Sequence, residues 1–177
     1  KNAVLAMDTW SNPTRKYSEN YQSGPLSFEF FFKGKKLITN SGYFQDHNHQ
    51  LNSISKSTAT HSTLILDNSS TCNFKKNSKG PSIVTRGFKT FDNEVTYEKN
   101  YWGIKCSHDG YLSEYGVIHQ RNIEFDINKF TLFGKEKLIK KNNFKATNFE
   151  IRFHLLPNIK VTTVSYTHLR AHETHPN

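Results

Sequence analysis

A run of alternating apolar residues near the start of the chain constrains the fold more than any other feature. Residues 26–32 read LSFEFFF, with leucine or phenylalanine at every second position. Gly34 interrupts the run, and a second extended segment follows at 35–39. A period of two fits a β-strand, because successive side chains of a strand point to opposite faces of a sheet. The sequence therefore predicts a strand, a tight turn and a second strand.

Similar short segments recur along the chain. Residues 3–8 and 58–67 are strand-like, 83–85 and 94–97 more weakly so, and 159–164 follows the turn at 157–158. Residues 101–107 and 116–126 flank the turn HDGYLSEY and predict a hairpin. A second hairpin is predicted at 129–133 and 135–139, which Gly134 separates. The polar stretches are interpreted as loops, at 11–23, 45–57 and 68–81.

The segment 149–155 alternates cleanly between an apolar and a polar face. Its apolar side chains are Phe149, Ile151, Phe153 and Leu155, and its polar ones are Glu150, Arg152 and His154. A strand buried on one face only is typical of antiparallel sheets. Since no segment keeps a helical period over three turns, we expect an all-β protein, an antiparallel β-sandwich.

Composition supports a β-rich domain with a basic surface. The chain has 177 residues, enough for one domain with a core, and 14% of them are aromatic. A net charge of +9 favours an acidic partner: nucleic acid, an anionic polysaccharide or a membrane surface. The lysines are scattered in short groups, which is typical of a solvated face rather than a nucleic-acid-binding stripe. No apolar run is long enough to span a membrane, and Cys72 and Cys106 lack metal-knuckle spacing, while a disulfide between them stays open.

The last thirteen residues differ in character from the rest. The segment 165–177 contains His168, His172 and His175 but little apolar pattern, and its string SYTHLRAHET resembles translated sequencing-adaptor read-through. We therefore expect a domain at 1–164, truncated at both ends, and a non-native or disordered tail at 165–177.

Candidate chemistry rests on scattered histidines, because no phosphate-binding glycine loop, G-x-S-x-G elbow or HExxH motif is present. An imidazole titrates near neutrality and suits acid–base work, and arginine suits carboxylate recognition. His61, His108, His119 and His154 are the histidines on or beside predicted strands. Each has a structural alternative: spacing alone favours a backbone-bonded core histidine for His61, and His108 could order its turn. His47 and His49 have a chelating spacing, but in a polar loop such histidines are more often solvated.

The order of several motifs is more specific than any one of them. GPLSFEF, a lysine-rich turn, LITNSGYF, ATHSTLILDN, HDGYLSEYGVIHQR, a hairpin through 134–136 and IRFHLLP follow one another. In this order they resemble the C-terminal β-domain of the heparinase II/III family, over about 3–164. The resemblance implies a β-sandwich that follows an α-helical toroid, with a polyuronate bound in the cleft between them. It also implies β-elimination, in which a base takes the C5 proton of a uronate, the carboxylate is neutralised and the 4-linked sugar leaves. A periplasmic or secreted location is implied in the same way; the sequence itself does not reveal the compartment.

The family's zinc ligands transfer only in part. In this family a histidine of an H-x-H-x-D stretch, an aspartate of a D-x-G strand and a later strand histidine hold the metal. His61 matches the last, Asn40 stands where the aspartate is expected, and 20–25 contains no histidine. Because a neutral amide is a poor substitute for a carboxylate on zinc, we expect no metal site of this kind and no other cofactor. The catalytic histidine of the same stretch is also missing, so the chain resembles a divergent branch.

The resemblance and the residues together give a set of candidate site residues that line or support the cleft. The catalytic candidates are His61, His108, Tyr111 and His119, and the substrate-binding candidates are Asn40, Arg121, Arg152 and His154. The expected partners are an acidic polysaccharide and the protein's own N-terminal helical domain, without which this segment should be inactive. No nucleic acid and no membrane span are expected.

Two other functions stay open. The chain could be a non-catalytic carbohydrate-binding sandwich, for which an exposed Trp10 or Trp102 would supply a sugar platform, although core packing is the commoner fate of tryptophan. A nucleic-acid binder is supported by charge alone and ranks last.

Overall fold

The computed structural model describes residues 3–162 except 15, 78, 79 and 158. Two short α-helices lie in this part of the chain, α1 (Gln50–Ser55) and α2 (Leu112–Tyr115), together with 3-10 turns at Lys16–Ser18 and Thr58–Thr60. The strands of the same part are β1 (Ala3–Met7), β2 (Phe28–Phe32), β3 (Lys35–Thr39), β4 (Leu64–Leu66), β5 (Asn73–Asn77), β6 (Gly80–Arg86), β7 (Thr90–Glu98), β8 (Tyr101–His108), β9 (Val117–Asp126), β10 (Thr131–Lys140), β11 (Phe149–Ile151) and β12 (His154–Leu155). The expectation of an all-β, antiparallel fold is confirmed.

Two four-stranded sheets form the sandwich. One has the order β1-β2-β3-β12 and the other β10-β9-β8-β7, and every pairing is antiparallel. Their inner faces meet where Phe28 and Phe30 pack against Ile123 and Phe125. Trp102 stacks on Phe125 at 5.3 Å between ring centroids, so this tryptophan belongs to the core. Two smaller pairs, β4 with β11 and β5 with β6, complete the described part.

The hairpin predicted around Gly34 is confirmed. Strands β2 and β3 pair across a turn in which Lys33 and Gly34 have φ angles of 48° and 76°. Two consecutive positive φ values are the signature of the tight hairpin turn whose twist matches that of the flanking strands. The hairpin predicted across 108–115 is also confirmed, with α2 inside the connection between β8 and β9.

The hairpin predicted at Gly134 is wrong. Gly134 lies inside the continuous strand β10, opposite Ile123 of β9. The chain reverses instead at 127–130, where one carboxylate oxygen of Asp126 accepts hydrogen bonds of 2.9 Å from the backbone N–H groups of Asn128 and Lys129. An aspartate that accepts hydrogen bonds from the backbone two and three residues later stabilises a turn, so the chain reverses here and not at Gly134.

The segment 149–155 does not form one half-buried strand. It splits into β11, which pairs with β4, and β12, which pairs with β3. Because the chain changes sheets at 152–153, the predicted alternation is lost, and 56% of the Phe149 side chain is exposed. Three further predictions need correction. The segment 58–67 contains a 3-10 turn and one short strand, β4; the loop at 68–81 contains β5 and the start of β6; and the loop at 45–57 contains α1. Residues 159–162 are not in a strand, and the tail at 165–177 lies outside the described residues.

Polar groups inside the sandwich are tied together by Arg121. Its side chain is completely buried on β9. Its Nη1 atom donates to the carbonyl oxygens of Leu26 and Ser62, both at 2.7 Å, and its Nε atom donates to Glu136 on β10 at 2.7 Å. The guanidinium also lies over the ring of Phe28, 5.4 Å from its centroid. One side chain therefore joins both large sheets and the segment that leads into β4.

We predict that Arg121→Met lowers the free energy of unfolding by about 3–5 kcal/mol, because it leaves a buried carboxylate and two carbonyls without their donor. Urea denaturation would measure the change. The matched control is Arg86→Met, which removes a half-exposed pair with Glu114 and should cost about 1 kcal/mol or less. Equal losses in the two variants would contradict the role assigned to Arg121.

Candidate functional site

A polar cleft of about 370 Å³ lies beside the beginning of β2 and contains two of the predicted site residues, Asn40 and His61. Tyr21 and Gly24 of the 20–25 loop form a further part of its lining. Two carboxylates, Asp8 after β1 and Glu29 on β2, are also part of the lining. The segment that lacks the family's histidines thus lies directly against the histidine that is retained.

His61 is buried in this cleft but has an unused ring nitrogen. Only 3% of the residue is exposed, and its Nε2 atom has no hydrogen-bond partner among the described residues. Burial, followed by the nearby His154, lowers the pKa of His61 from 6.5 to about 4. The imidazole is therefore neutral at neutral pH and can accept a proton.

Gly24 makes room for that imidazole. A Cβ atom at position 24 would lie 2.6 Å from Cγ of His61, closer than side-chain carbons approach one another. Because glycine has no Cβ atom, it allows the loop to approach the His61 ring this closely.

Tyr21 is a cleft residue that the sequence did not reveal. Its hydroxyl is buried without a partner among the described residues. Burial first, and then the charges of Asp8 and Cys72, raise the pKa of Tyr21, so the phenol keeps its proton. No local sequence signal marks this residue, because long-range packing determines that its hydroxyl is buried without a hydrogen-bond partner.

The two carboxylates make one side of the cleft acidic. Burial acts to raise the pKa of Glu29, but hydrogen bonds from Lys36 and from the Asn40 backbone outweigh it, and the pKa is lowered. The Lys36 ammonium lies 2.6 Å from Glu29 and offsets its charge. Burial raises the pKa of Asp8.

Asn40 presents donors rather than an acceptor. Its Oδ1 atom accepts the backbone N–H of Ser62 at 2.9 Å, which fixes the orientation of the amide. The Nδ2 group has no partner within the described part of the chain, so its two hydrogens are available to a bound anion.

Two further predicted residues, His154 and Arg152, lie near His61 and near the turn that precedes it. The backbone N–H of His154 donates to Ser62 Oγ at 2.9 Å, and its Nε2 atom is buried without a partner among the described residues. The guanidinium of Arg152 is used within the chain, because it donates to Glu150 and to the carbonyl of Ala59.

His108 and His119 do not line a cleft. Both are completely buried and lie opposite each other on β8 and β9. The Gly110 N–H donates to His108 Nδ1 at 3.0 Å, so His108 Nε2 carries the proton and donates to His119 Nδ1, also at 3.0 Å. His119 Nε2 then donates to Glu136 at 2.6 Å. Burial lowers the pKa of both histidines, and the chain of hydrogen bonds is complete with both rings neutral.

Tyr111 and Arg121 are likewise interior residues. Tyr111 packs with Leu64 and Tyr115, and its hydroxyl donates to the carbonyl of Leu64 at 3.0 Å. Burial raises the pKa of Tyr111. For His108, His119, Tyr111 and Arg121 a cleft-lining role does not fit this burial, and the predicted supporting role is the one that the geometry allows.

The zinc implied by the resemblance does not fit the residues present. Among the described residues, no three histidine, cysteine, aspartate or glutamate side chains come together as ligands for a metal ion. At the position expected for a ligand, the side-chain oxygen of Asn40 is already bonded to Ser62. His49, one of the two loop histidines, instead caps α1 by accepting the N–H of Leu51.

Both cysteines are free and buried. Within the described residues, no helix is long and apolar enough to cross a membrane. Trp10 is 82% exposed, whereas Trp102 is in the core.

Comparisons with known proteins agree on one family. The family described as Heparinase II/III-like, C-terminal matches residues 1–171. Heparan sulfate lyase HepC from Pedobacter heparinus is 22% identical, with a TM-score of 0.63 over 88% of this chain and 21% of that one. A structure of Heparinase III is 17% identical, with a TM-score of 0.60 over 87% of this chain and 21% of that one. These identities show the fold alone, and the chain spans about a fifth of the length of these proteins. Among curated protein sequences, none matches.

We predict that stability falls as the pH is lowered from about 6.5 towards 4. As the pH falls, His61 is protonated near pH 6.5 in the unfolded chain but only near its pKa of about 4 in the folded protein. The free energy of unfolding therefore decreases by up to about 3 kcal/mol over this window. His108 and His119 act in the same direction. Urea denaturation at several pH values should show a shallower pH dependence in His61→Gln than in the exposed-histidine control His47→Gln. Identical slopes would contradict the assignment.

We also predict that Gly24→Ala destabilises the protein by about 1–3 kcal/mol, because the new methyl group must displace the His61 ring. The control is Gly134→Ala, whose Cβ would make an ordinary 3.5 Å contact with Ile123. Thermal denaturation of both variants checks this. A Gly24→Ala protein as stable as the control would show that the ring moves aside freely.

Proposed function

The chain belongs to the heparinase II/III-like C-terminal family of polysaccharide lyases, and from this premise we propose that it forms the β-sandwich part of an enzyme that cleaves a uronate-containing polysaccharide by β-elimination. The observation that carries the proposal is His61, a neutral histidine that lines a polar cleft and whose buried Nε2 atom has no hydrogen-bond partner among the described residues. A uronate needs such a proton acceptor at C5, and a donor for its carboxylate.

The cleft residues can be assigned to the parts of this reaction. His61 accepts the C5 proton, and the electrons of the broken C–H bond form the C4–C5 double bond as the C4–O bond breaks. Tyr21, whose phenol is protonated, gives its proton to the departing oxygen. The Nδ2 group of Asn40 donates to the uronate carboxylate. A carboxylate bound there raises the pKa of His61, because a nearby negative charge stabilises imidazolium.

The buried predicted residues act through these groups. Arg121 holds the carbonyl of Ser62, the residue after His61, and the hydrogen-bond chain through His108 and His119 fixes the acceptor Glu136 of the same guanidinium. We assign them a positioning role. His154 stands beside His61, and Arg152 fixes the backbone at Ala59.

The other wall of the cleft is assigned to the protein's own N-terminal helical domain, as the family resemblance implies. The chain spans about a fifth of the length of the lyase structures it resembles, which is compatible with the other wall of the cleft lying elsewhere in the protein.

A second candidate function is a non-catalytic carbohydrate-binding module. It is favoured by the exposed rings of Trp10 and Tyr97, residues that are each 82% exposed. Aromatic faces of this kind can stack on sugar rings.

We predict that the full protein releases unsaturated uronate from heparan sulfate or from polygalacturonate, and that His61→Gln slows this release about 100-fold or more, as expected for the loss of a general base. The ultraviolet absorbance of the new double bond measures the rate, and His47→Gln is the control. An unchanged rate in His61→Gln excludes His61 as the base. If no unsaturated product forms and Trp10→Ala abolishes sugar binding, the binding module is the better account.

A further inference from the structure

The outer face of the second large sheet carries a compact group of lysine and amide side chains. We call it the lysine patch; it consists of Lys105, Gln120, Asn122, Lys135 and Lys137, which surround a depression of about 130 Å³. The strand register explains the grouping, since Asn122 pairs with Lys105 on one side and with Lys135 on the other. Gln120 pairs in the same way with Lys137. Neighbouring strands lie about 4.8 Å apart, so these side chains share one surface.

The positive charge of the patch is concentrated along β10. Lys105 is paired with Glu94 at 2.8 Å, and Glu124 accepts the side-chain amide of Asn122 at 2.5 Å. Lys135 and Lys137 are exposed, and no carboxylate within the described residues pairs with either. Glu136, which lies between them, points inward to Arg121 and His119 and does not offset their charge on the surface.

An exposed aromatic ring extends this charged strip. Phe133 is 51% exposed and, by the period of two, lies on the same face of β10 as the two lysines. Residues 133, 135 and 137 are each about 7 Å apart along the strand. An apolar ring followed by two cations in a line suits an extended chain that carries both sugar faces and negative groups, rather than a single small anion.

We propose that the lysine patch, together with Phe133, is a binding site for a segment of an acidic polysaccharide, separate from the His61 cleft. The separation follows from the sheet itself: Arg121 and His119 point inward from β9, whereas Gln120 and Asn122 point to the other side. The carboxylates or sulfates of the polymer would contact Lys135 and Lys137, and the amides would bond to its hydroxyl groups. The site does not depend on lyase activity.

The test is the affinity of the full protein for heparan sulfate, measured by titration calorimetry at low and at physiological salt. The double variant Lys135→Gln/Lys137→Gln should bind about tenfold or more weakly at low salt and show a smaller salt dependence, since two ionic contacts are lost. The matched control is Lys75→Gln/Lys76→Gln on β5, which removes the same charge and should bind like the unchanged protein. Lys135→Arg/Lys137→Arg should retain binding, and Phe133→Ala should weaken it.

Three results would overturn the proposal: equal loss in both glutamine variants, which indicates net charge alone; no loss in either; or tighter binding of single-stranded RNA than of heparan sulfate at the patch. The outcome is distinguishable from that of the lyase proposal. If polysaccharide binding depends on Lys135 and Lys137 while no unsaturated product forms, the patch stands and the lyase proposal fails. If a short oligosaccharide is cleaved normally and none of the patch variants changes polysaccharide binding, the lyase proposal stands and the patch proposal fails.

Discussion

A buried guanidinium holds this sandwich in register. Arg121 carries a charge into the interior, where it is tolerated only because its hydrogen bonds go to specific groups: Glu136 on the neighbouring strand, and carbonyls of Leu26 and Ser62 from two other segments. Each of these partners comes from a different part of the chain. The hydrogen bonds to the two carbonyls thus fix how these segments lie against β9, whereas the ion pair with Glu136 lies within the β10-β9-β8-β7 sheet. The position of His61, one residue before Ser62, follows from these hydrogen bonds.

The hydrogen-bond chain of His108 and His119 extends the same polar core. Its direction is fixed from the Gly110 N–H to the Glu136 carboxylate, so both imidazoles are neutral and each ring has a defined tautomer. Glu136 receives donors from His119 and Arg121 together, which lowers its pKa in spite of burial. Histidines that looked suitable for acid–base work therefore have both nitrogens occupied. His61 and His154 differ from them, because the Nε2 atom of each is buried without a partner among the described residues, and His61 also lines the cleft.

Local signals explain which parts of this arrangement could be predicted. The alternation of 26–32 and the glycine at 34 act over a few residues, and that hairpin forms as expected. The hairpin predicted at Gly134 is wrong because a glycine is also compatible with a strand interior, and the side chain of Asp126 stabilises the turn instead. The pairing of His108 with His119 depends on the register across α2, which no short motif fixes. Tyr21 depends on still more distant packing, because its hydroxyl is buried without a partner where the 20–25 loop meets other segments of the cleft.

Positive and negative charges lie on different parts of the described structure. The net charge of +9 is carried by lysines such as Lys135 and Lys137 on outer faces, whereas the cleft contains Asp8 and Glu29. In the cleft, the Lys36 ammonium offsets the charge of Glu29, and the Asn40 amide adds hydrogen-bond donors. For the proposed reaction, this charge distribution favours a uronate carboxylate on the Asn40 side and the sugar ring towards His61. Because the described residues do not bring together a set of zinc ligands, the proposed reaction relies on the neutral amide of Asn40 to orient the uronate by hydrogen bonds.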